Sequence, residues 1–212
     1  MDKETLEAAI FDYGGVMALS PVGRVHMLAD KFGANPDLLM RLILGESDDY
    51  VNPWFEAECG RQPLDAVFAE EMQKILDPYS ISFDLTVFLP WVAEAKNEPD
   101  LIMDATVRWL KEKKIPVALL TNAVPEFRSV IEQTVPIYEL FDVIVDSSEV
   151  GYRKPNPEIY QLTADRLGVS AGKCLMVDDL EHNVSGAERI GMTGLLFEDA
   201  TQTSLEIRKL FP

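Results

Sequence analysis

The run AAIF, residues 8–11, stops at Asp12 and continues as YGGV, residues 13–16. Four later runs have the same form, because each is short, rich in Val, Ile, Leu or Phe, and ends in polar residues. They are PVALL before Thr121, FDVIV before Asp146, CLMV before Asp178 and TGLLF before Glu198. Runs of this kind are typical of strands buried in a parallel sheet. The sequence therefore predicts five buried parallel strands.

Helical patterns lie between the later runs, over residues 100–114, 125–134, 157–167 and 183–190. A last helix is predicted to begin at Thr203-Ser-Leu-Glu206, a capping-box pattern that satisfies free N–H groups at a helix start, and to run to Phe211. Because strand and helix alternate along the chain, the predicted fold class is α/β with a parallel sheet.

Residues 20–98 have a different character. Helical periodicity is seen in VHMLADKF, LLMRLIL, AVFAEEMQKIL and TVFLPWVAEA, with turn-forming Pro and Gly between these segments. We interpret this region as a small helical cap domain inserted between the first two strands, so that residues 1–19 and 99–212 together form the sheet domain. The insert would lie over the carboxyl ends of the strands, where ligands bind in open α/β sheets.

The charge of the chain limits the partners that we expect. The 212 residues have a formal net charge of −17 and a sequence pI near 4.4. A negative field of this kind repels phosphate backbones and anionic lipid, so nucleic acid and membrane partners are not expected. A phosphorylated metabolite would also be repelled. A phosphate site in this chain therefore needs a locally positive pocket, built from a metal, a lysine and backbone N–H groups.

The two cysteines, Cys59 and Cys174, do not form a disulfide framework, and Cys174 within KCLMV is predicted to be a small buried thiol. The N-terminus has no apolar stretch of signal-peptide length, and no run approaches the roughly 18 apolar residues that span a bilayer. A cytoplasmic location is the resulting expectation. The sequence does not distinguish a monomer from a homodimer.

Four polar groups follow the predicted strands in order: Asp12 with its glycine pair, Thr121-Asn122, Lys154 within GYRKPNPEIY, and Asp178-Asp179. Parallel strands bring such ends together at one edge of the sheet. This set, in this order, resembles the haloacid dehalogenase-like (HAD) superfamily, and the resemblance extends over residues 8–192. It implies a Rossmann-like, doubly wound parallel sheet with a cap, and a hydrolase that acts on a small phosphorylated molecule.

By this resemblance, Asp12 is the nucleophile of a phosphatase. A carboxylate suits that role, because attack on phosphorus gives an acyl phosphate that water then cleaves. A turn-capping Asp is the alternative interpretation, but it does not explain Gly14 and Gly15. Two glycines let the chain turn sharply and bring backbone N–H groups close to a bound phosphate.

The acidic pair Asp178-Asp179 indicates a cation, since adjacent carboxylates at one strand end repel each other unless a cation or proton lies between them. Mg²⁺ suits these ligands, because it binds one or two carboxylates together with substrate phosphate and water. The resemblance adds Asp12 and the backbone carbonyl of Gly14 to the ligand set. Asp179 is the expected direct ligand, and Asp178 binds directly or through water.

Thr121 and Asn122 are expected to hydrogen-bond the phosphoryl oxygens through the hydroxyl and backbone N–H groups. Lys154 is expected to place a positive charge beside Asp12 and the transferring group. Arg153 is a weaker candidate, and a solvated side chain is the alternative for it. Asn183 either orients the Asp178-Asp179 loop or caps the next helix.

The sequence departs from the family pattern at Gly14. Phosphatases of the family usually have a second Asp there, which protonates the leaving group, and such acid–base help is worth typically about 10²- to 10⁴-fold in rate. Haloacid dehalogenases also lack this Asp, so a 2-haloacid dehalogenase is the alternative enzyme, although the pair Asp178-Asp179 argues against it. A non-catalytic module that binds metal or phosphate is the third hypothesis.

Overall fold

The computed structural model describes residues 5–19, 25–44, 52–93 and 98–212. Five parallel strands form one sheet in the order β3-β2-β1-β4-β5. Their bounds are β1 (Ala8–Phe11), β2 (Val117–Thr121), β3 (Val143–Asp146), β4 (Cys174–Asp178) and β5 (Thr193–Leu196). The predicted α/β class with a parallel sheet is confirmed. The chain crosses from one side of β1 to the other between β3 and β4, so the crevice at the end of β1 is the expected ligand position.

Twelve α-helices occur within the described ranges. In the region before β2 these are α1 (Val25–Phe32), α2 (Pro36–Leu44), α3 (Pro53–Glu58), α4 (Ala66–Leu76) and α5 (Leu85–Ala93), followed by α6 (Leu101–Glu112). The others are α7 (Arg128–Thr134), α8 (Ile137–Leu140), α9 (Ser147–Val150), α10 (Pro157–Leu167), α11 (Glu181–Arg189) and α12 (Ala200–Leu210). None of these helices is long and apolar enough to span a membrane.

Helices cover both faces of the sheet, which makes it doubly wound. Alternate strand residues point to opposite sides. Ala9 and Phe11 of β1 pack with apolar side chains of α6, α8 and α12. Ala8 and Ile10 pack with side chains of α10 and α11, and Cys174 is a buried free thiol in this second cluster, as predicted.

The helices α1–α5 enclose a third apolar cluster of their own, which includes Leu28, Trp54, Phe68 and Phe88. Val124, which follows β2, completes that cluster and joins it to the sheet. The proposed domain boundary at residue 20 falls in residues 20–24, outside the described part of the chain. The division of the chain into a cap and a sheet domain therefore stays our interpretation.

Two hydrogen bonds and a close backbone approach hold the end of α3 against α9. The Ser147 hydroxyl donates to the backbone oxygen of Glu58 at 2.5 Å, and Arg61 Nη1 donates to the Gly151 oxygen at 2.8 Å. Between them lies Gly60, where a Cβ atom would come within 2.2 Å of the Ser148 carbonyl oxygen. Only glycine permits this approach.

The last helix begins earlier than predicted. Asp199 is the N-cap of α12, and its carboxylate accepts a hydrogen bond from the Gln202 N–H at 2.9 Å. Thr203 and Ser204, the predicted start, are buried inside the helix, and the Ser204 hydroxyl is 2.7 Å from that of Thr106 on α6. The capping-box prediction was wrong because an Asp four residues upstream supplies the cap, and the two hydroxyl residues pack inward.

Candidate active site

The strand register brings the predicted site residues to one edge of the sheet. Phe11 lies beside Val177 on one side and Leu119 on the other, so Asp12 emerges between the ends of β4 and β2. The Asp12 N–H continues the ladder by donating to the Val177 oxygen at 2.9 Å. Asp178 and Thr121 are the last residues of their strands.

Lys154 joins two of these carboxylates. Its Nζ atom is 2.7 Å from Asp12 Oδ1 and 2.6 Å from Asp178 Oδ2, and the side chain is 1% exposed. Burial opposes the charge on the ammonium, yet the two carboxylates hold the pKa of Lys154 above its usual value. The lysine therefore stays a cation in the centre of the site.

Asp178 is held by protein donors on both of its oxygens. Lys154 donates to Oδ2, while Oδ1 accepts hydrogen bonds from the Leu180 N–H at 2.9 Å and from Asn183 Nδ2 at 3.0 Å. Asn183 is buried on the first half of α11, and it is not the N-cap of that helix, which is Leu180. Of the two interpretations of Asn183, the orienting role agrees with these contacts.

Asp179 lies on the open side of the cluster and packs against Gly15. A Cβ atom on Gly15 would lie 2.0 Å from Asp179 Oδ2, and Gly15 has φ +89°, a conformation that favours glycine. One carboxylate oxygen each from Asp12, Asp178 and Asp179 lie within 4.8 Å of one another. The three donors are hard oxygen ligands, and this spacing suits a divalent cation such as Mg²⁺.

The balance of charge in the cluster also favours a cation. Burial is the main cause that raises the pKa of Asp12 to about 8, Lys154 opposes the rise, and Asp178 and Asp179 add to it. Burial followed by repulsion from Asp178 raises the pKa of Asp179 to about 6. Three carboxylates with one lysine leave a negative excess, which a bound divalent cation would neutralise.

Thr121 is the last residue of β2, and it lines the same crevice as Asn122, the next residue. The Asn122 amide is bonded on both sides to the backbone of Lys154: Oδ1 accepts from the Lys154 N–H at 2.8 Å, and Nδ2 donates to the Lys154 oxygen at 3.0 Å. The Asn122 side chain thus holds the loop that contains Lys154. The backbone N–H groups of this turn remain candidates for a phosphate contact, together with the buried Thr121 hydroxyl.

Gly14 faces open space, whereas Gly15 packs against Asp179. A Cβ atom on Gly14 would have no atom of the described residues within 4 Å, and the φ of Gly14 lies outside the left-handed region. The backbone would therefore accept an Asp here. The missing second Asp is a difference of sequence alone, because the fold leaves room for that side chain.

A large cavity of about 1080 Å³ opens from Asp12 and extends below the helices α2, α3 and α5. Its wall includes the aromatic residues Trp54 and Phe55. Arg153 also lines it. The solvated alternative for Arg153 was wrong, since its Nε is 2.6 Å from Glu58 Oε2 and its guanidinium lies 3.8 Å from the centre of the Phe55 ring.

Glu58 was not among the residues predicted from the sequence. Its side chain is 9% exposed, and it accepts hydrogen bonds from Trp54 Nε1 at 2.9 Å and from Arg153 at 2.6 Å. The spacing of Trp54 and Glu58, four residues apart on one helix, was the available signal, because residues i and i+4 lie on the same helix face. The partner Arg153 is 95 residues away, which periodicity does not reveal.

Comparison with known proteins agrees with this geometry. The model of the haloacid dehalogenase-like hydrolase family matches residues 7–191. A sesquiterpene phosphatase of Aspergillus oryzae is 30% identical over 97% of this chain and 97% of its own. A HAD family enzyme of Bacteroides thetaiotaomicron, in complex with magnesium and inorganic phosphate, has a similar fold: TM-score 0.62, 18% identity, and coverage of 93% of this chain and 98% of its own.

The L-2-haloacid dehalogenase of Xanthobacter autotrophicus, with chloropropionic acid covalently bound, also shares the fold. Its TM-score is 0.63 at 19% identity, with coverage of 95% of this chain and 81% of its own. At this identity the likeness extends to the fold alone, whereas the family match covers most of the chain. The chain therefore belongs to the haloacid dehalogenase-like hydrolases.

Proposed function

We propose that this enzyme is a magnesium-dependent phosphatase that hydrolyses a small phosphorylated metabolite through an aspartyl-phosphate on Asp12. The observation that carries the proposal is the charge cluster at the sheet edge, in which Lys154 bridges Asp12 and Asp178 while Asp179 lies beside them. The phosphatase name of the relative that matches over nearly its whole length supports the same activity.

The residues present fit the proposed metal. Asp12 and Asp179 would hold it with the backbone carbonyl of Gly14, while Asp178, whose oxygens are already bonded to Lys154, Leu180 and Asn183, would act directly or through water. When bound, Mg²⁺ supplies charge neutralisation for the phosphoryl oxygens. The Bacteroides enzyme, which has a similar fold, is in complex with magnesium and inorganic phosphate, and this supports magnesium as the metal.

The nucleophilic oxygen is assigned to Asp12 Oδ2. Both protein donors, Lys154 Nζ and the Tyr13 N–H, bond Oδ1, each at 2.7 Å. Attack forms a bond from Oδ2 to phosphorus and breaks the bond from phosphorus to the ester oxygen, which leaves with the electron pair and takes a proton from solvent. Water then attacks the phosphorus of the acyl phosphate, which restores the Asp12 carboxylate and releases inorganic phosphate.

Lys154 would act through charge. Its ammonium is fixed between Asp12 and Asp178 and lies beside the phosphoryl group during transfer, where a preorganised cation stabilises the developing negative charge. The two hydrogen bonds from the Asn122 amide hold the backbone of Lys154 beside the end of β2. The helices above the crevice would close over the substrate and exclude water.

The pair Asp178-Asp179 weighs against a dehalogenase. A metal-free site for a haloacid must attract the substrate carboxylate, and the negative excess at this edge would repel it. A pure binding module would not need a nucleophile held by a lysine. A small phosphorylated substrate is therefore the proposal, and a sugar phosphate is one candidate within it.

The test is steady-state hydrolysis of p-nitrophenyl phosphate with and without Mg²⁺. We expect turnover that requires the metal, that is lost in Asp12→Asn, and that persists in Asp165→Asn, which changes an exposed carboxylate on α10. Circular dichroism should show that both variants are folded. Turnover that survives Asp12→Asn, or chloride release from 2-chloropropionate in place of phosphate release, would contradict the proposal.

A further inference from the structure

The cavity beside Asp12 has two chemically different halves. The half at the sheet edge contains the carboxylates, Lys154 and the turn after β2. The other half is walled by apolar side chains of α2, α3, α5 and the segment after β2, among them Met40, Trp54, Phe55, Val92, Phe127 and Val130. We propose, on the basis of the proposed phosphatase function, that the substrate is a phosphate ester of a large hydrocarbon group, which occupies this apolar half.

The apolar wall is continuous with the core of the helical segment. Trp54 and Val92 belong to the buried cluster inside α1–α5, and Phe55 and Phe127 pack against it from the cavity side. Trp54 meets Phe88 edge to face, with ring centres 5.6 Å apart, which fixes the indole in place. The wall is therefore a preformed apolar surface, which is what a hydrocarbon needs for binding.

The Glu58 carboxylate pairs with two polar groups in this half. The Trp54 N–H and the Arg153 Nε–H both donate to the buried carboxylate of Glu58. The charge of Arg153 is thereby balanced by Glu58, and its guanidinium lies 3.8 Å from the centre of the Phe55 ring. A sugar would find the Trp54 N–H, the Arg153 Nε–H and the Glu58 carboxylate already paired, whereas a hydrocarbon would leave these hydrogen bonds intact.

The remaining charged residues of α2 do not change this character. Asp37 and Arg41 line the cavity but are exposed, so water solvates them at the mouth. Leu19 also lines the cavity and is 63% exposed. An exposed leucine at the mouth of a cavity offers apolar surface that a hydrocarbon would cover.

The volume of the cavity also favours a substrate with a large hydrocarbon group. A cavity of about 1080 Å³ is at the upper end of ordinary ligand sites and far exceeds what a phosphate group alone would fill. Each methylene that enters it should improve kcat/KM by up to about fourfold, the equivalent of about 0.8 kcal/mol. An experiment should therefore vary the length of the alkyl group of the substrate.

The first experiment measures kcat/KM for methyl, butyl and octyl phosphate, with glycerol phosphate and glucose 6-phosphate as polar counterparts, all at saturating Mg²⁺ and below micelle formation. We expect octyl phosphate to exceed butyl phosphate by about tenfold or more, and glucose 6-phosphate to resemble methyl phosphate. A flat or falling series, or a preference for the sugar phosphate, would overturn the proposal while leaving the phosphatase function in place.

A matched pair of variants tests where the hydrocarbon group of the substrate binds. Leu19→Gln should reduce the preference for octyl over methyl phosphate by about threefold or more, while Leu205→Gln, the same change at an exposed leucine on α12 away from the cavity, should leave it unchanged. Equal preferences in both variants would mean that the hydrocarbon does not reach the rim of the cavity, against the proposal.

Calorimetry of Asp12→Asn with octyl phosphate provides a readout that does not depend on turnover. If the octyl group is buried in the apolar half, the heat-capacity change of binding should be negative. Its magnitude should be larger for octyl phosphate than for butyl phosphate. No turnover of any phosphate ester by the parent enzyme would refute the proposed function, and this binding experiment would still decide the substrate class. A heat-capacity change that does not depend on chain length would refute the apolar assignment.

Discussion

Replacement of Gly15 by alanine should reduce both the stability and the metal affinity of the enzyme. The backbone has φ +89° at this residue, where a residue with a side chain costs about 1–2 kcal/mol. The new Cβ atom would lie 2.0 Å from Asp179 Oδ2, so the carboxylate would have to retreat to an ordinary contact distance of at least 3.4 Å. Asp179 lies on the open side of the cluster and can move, but it would leave the position in which it can share a cation with Asp12.

Two measurements check this prediction. Urea unfolding should show a loss of about 1–2 kcal/mol, and the Mg²⁺ concentration for half-maximal turnover should rise about 10- to 100-fold, as for other changes that displace a ligand. Gly14→Ala is the matched control for stability, because its Cβ would meet no atom within 4 Å in the part of the chain that the structure describes. That variant should be as stable as the parent or slightly more stable. Equal stability of the two variants, with unchanged metal dependence of Gly15→Ala, would refute the reasoning.

Three other substitutions have definite expected results. Thr106→Val should cost about 1–3 kcal/mol in urea unfolding because it leaves the Ser204 hydroxyl without its buried partner, and the double variant with Ser204→Ala should cost less than the sum of the single variants. Arg128→Met should lower stability by about 1.5–3 kcal/mol, since the buried Asp146 carboxylate loses a contact of 3.1 Å; no loss would indicate that water replaces it. Lys154→Met should cost about 3–5 kcal/mol, because two buried carboxylates lose their cation, and saturating Mg²⁺ should restore part of the thermal stability.

The sheet and the site residues at the ends of its strands were predictable from the sequence, because both depend on short-range patterns. An apolar run that stops at a polar residue specifies a buried strand and the edge at which its last side chain lies. Asp12, Thr121 and Asp178 follow this rule. Lys154 does not end a strand, and it was identified only because the set as a whole resembled the HAD family.

The contacts that refine the site were not predictable in the same way. The Asn122 amide pairs with a backbone 32 residues away, and Glu58 pairs with Arg153 across 95 residues. Tyr160 donates from α10 to the Asn183 carbonyl oxygen at 2.7 Å and supports the acidic loop from below. Such contacts depend on how elements pack in three dimensions, and helical or strand periodicity carries no information about their partners.

The attachment of α3 to α9 has a consequence for protein engineering. Glu58, Gly60 and Arg61 contact the backbone or side chains of residues 147–151 at distances that tolerate no larger residue at position 60. A chimaera that exchanges the whole helical segment for that of another hydrolase would lose these contacts with residues 147–151. The loop that carries Lys154 would then be displaced. Grafts intended to change substrate preference should therefore retain α3 through Arg61 from the recipient, or transplant residues 147–151 together with the donor segment.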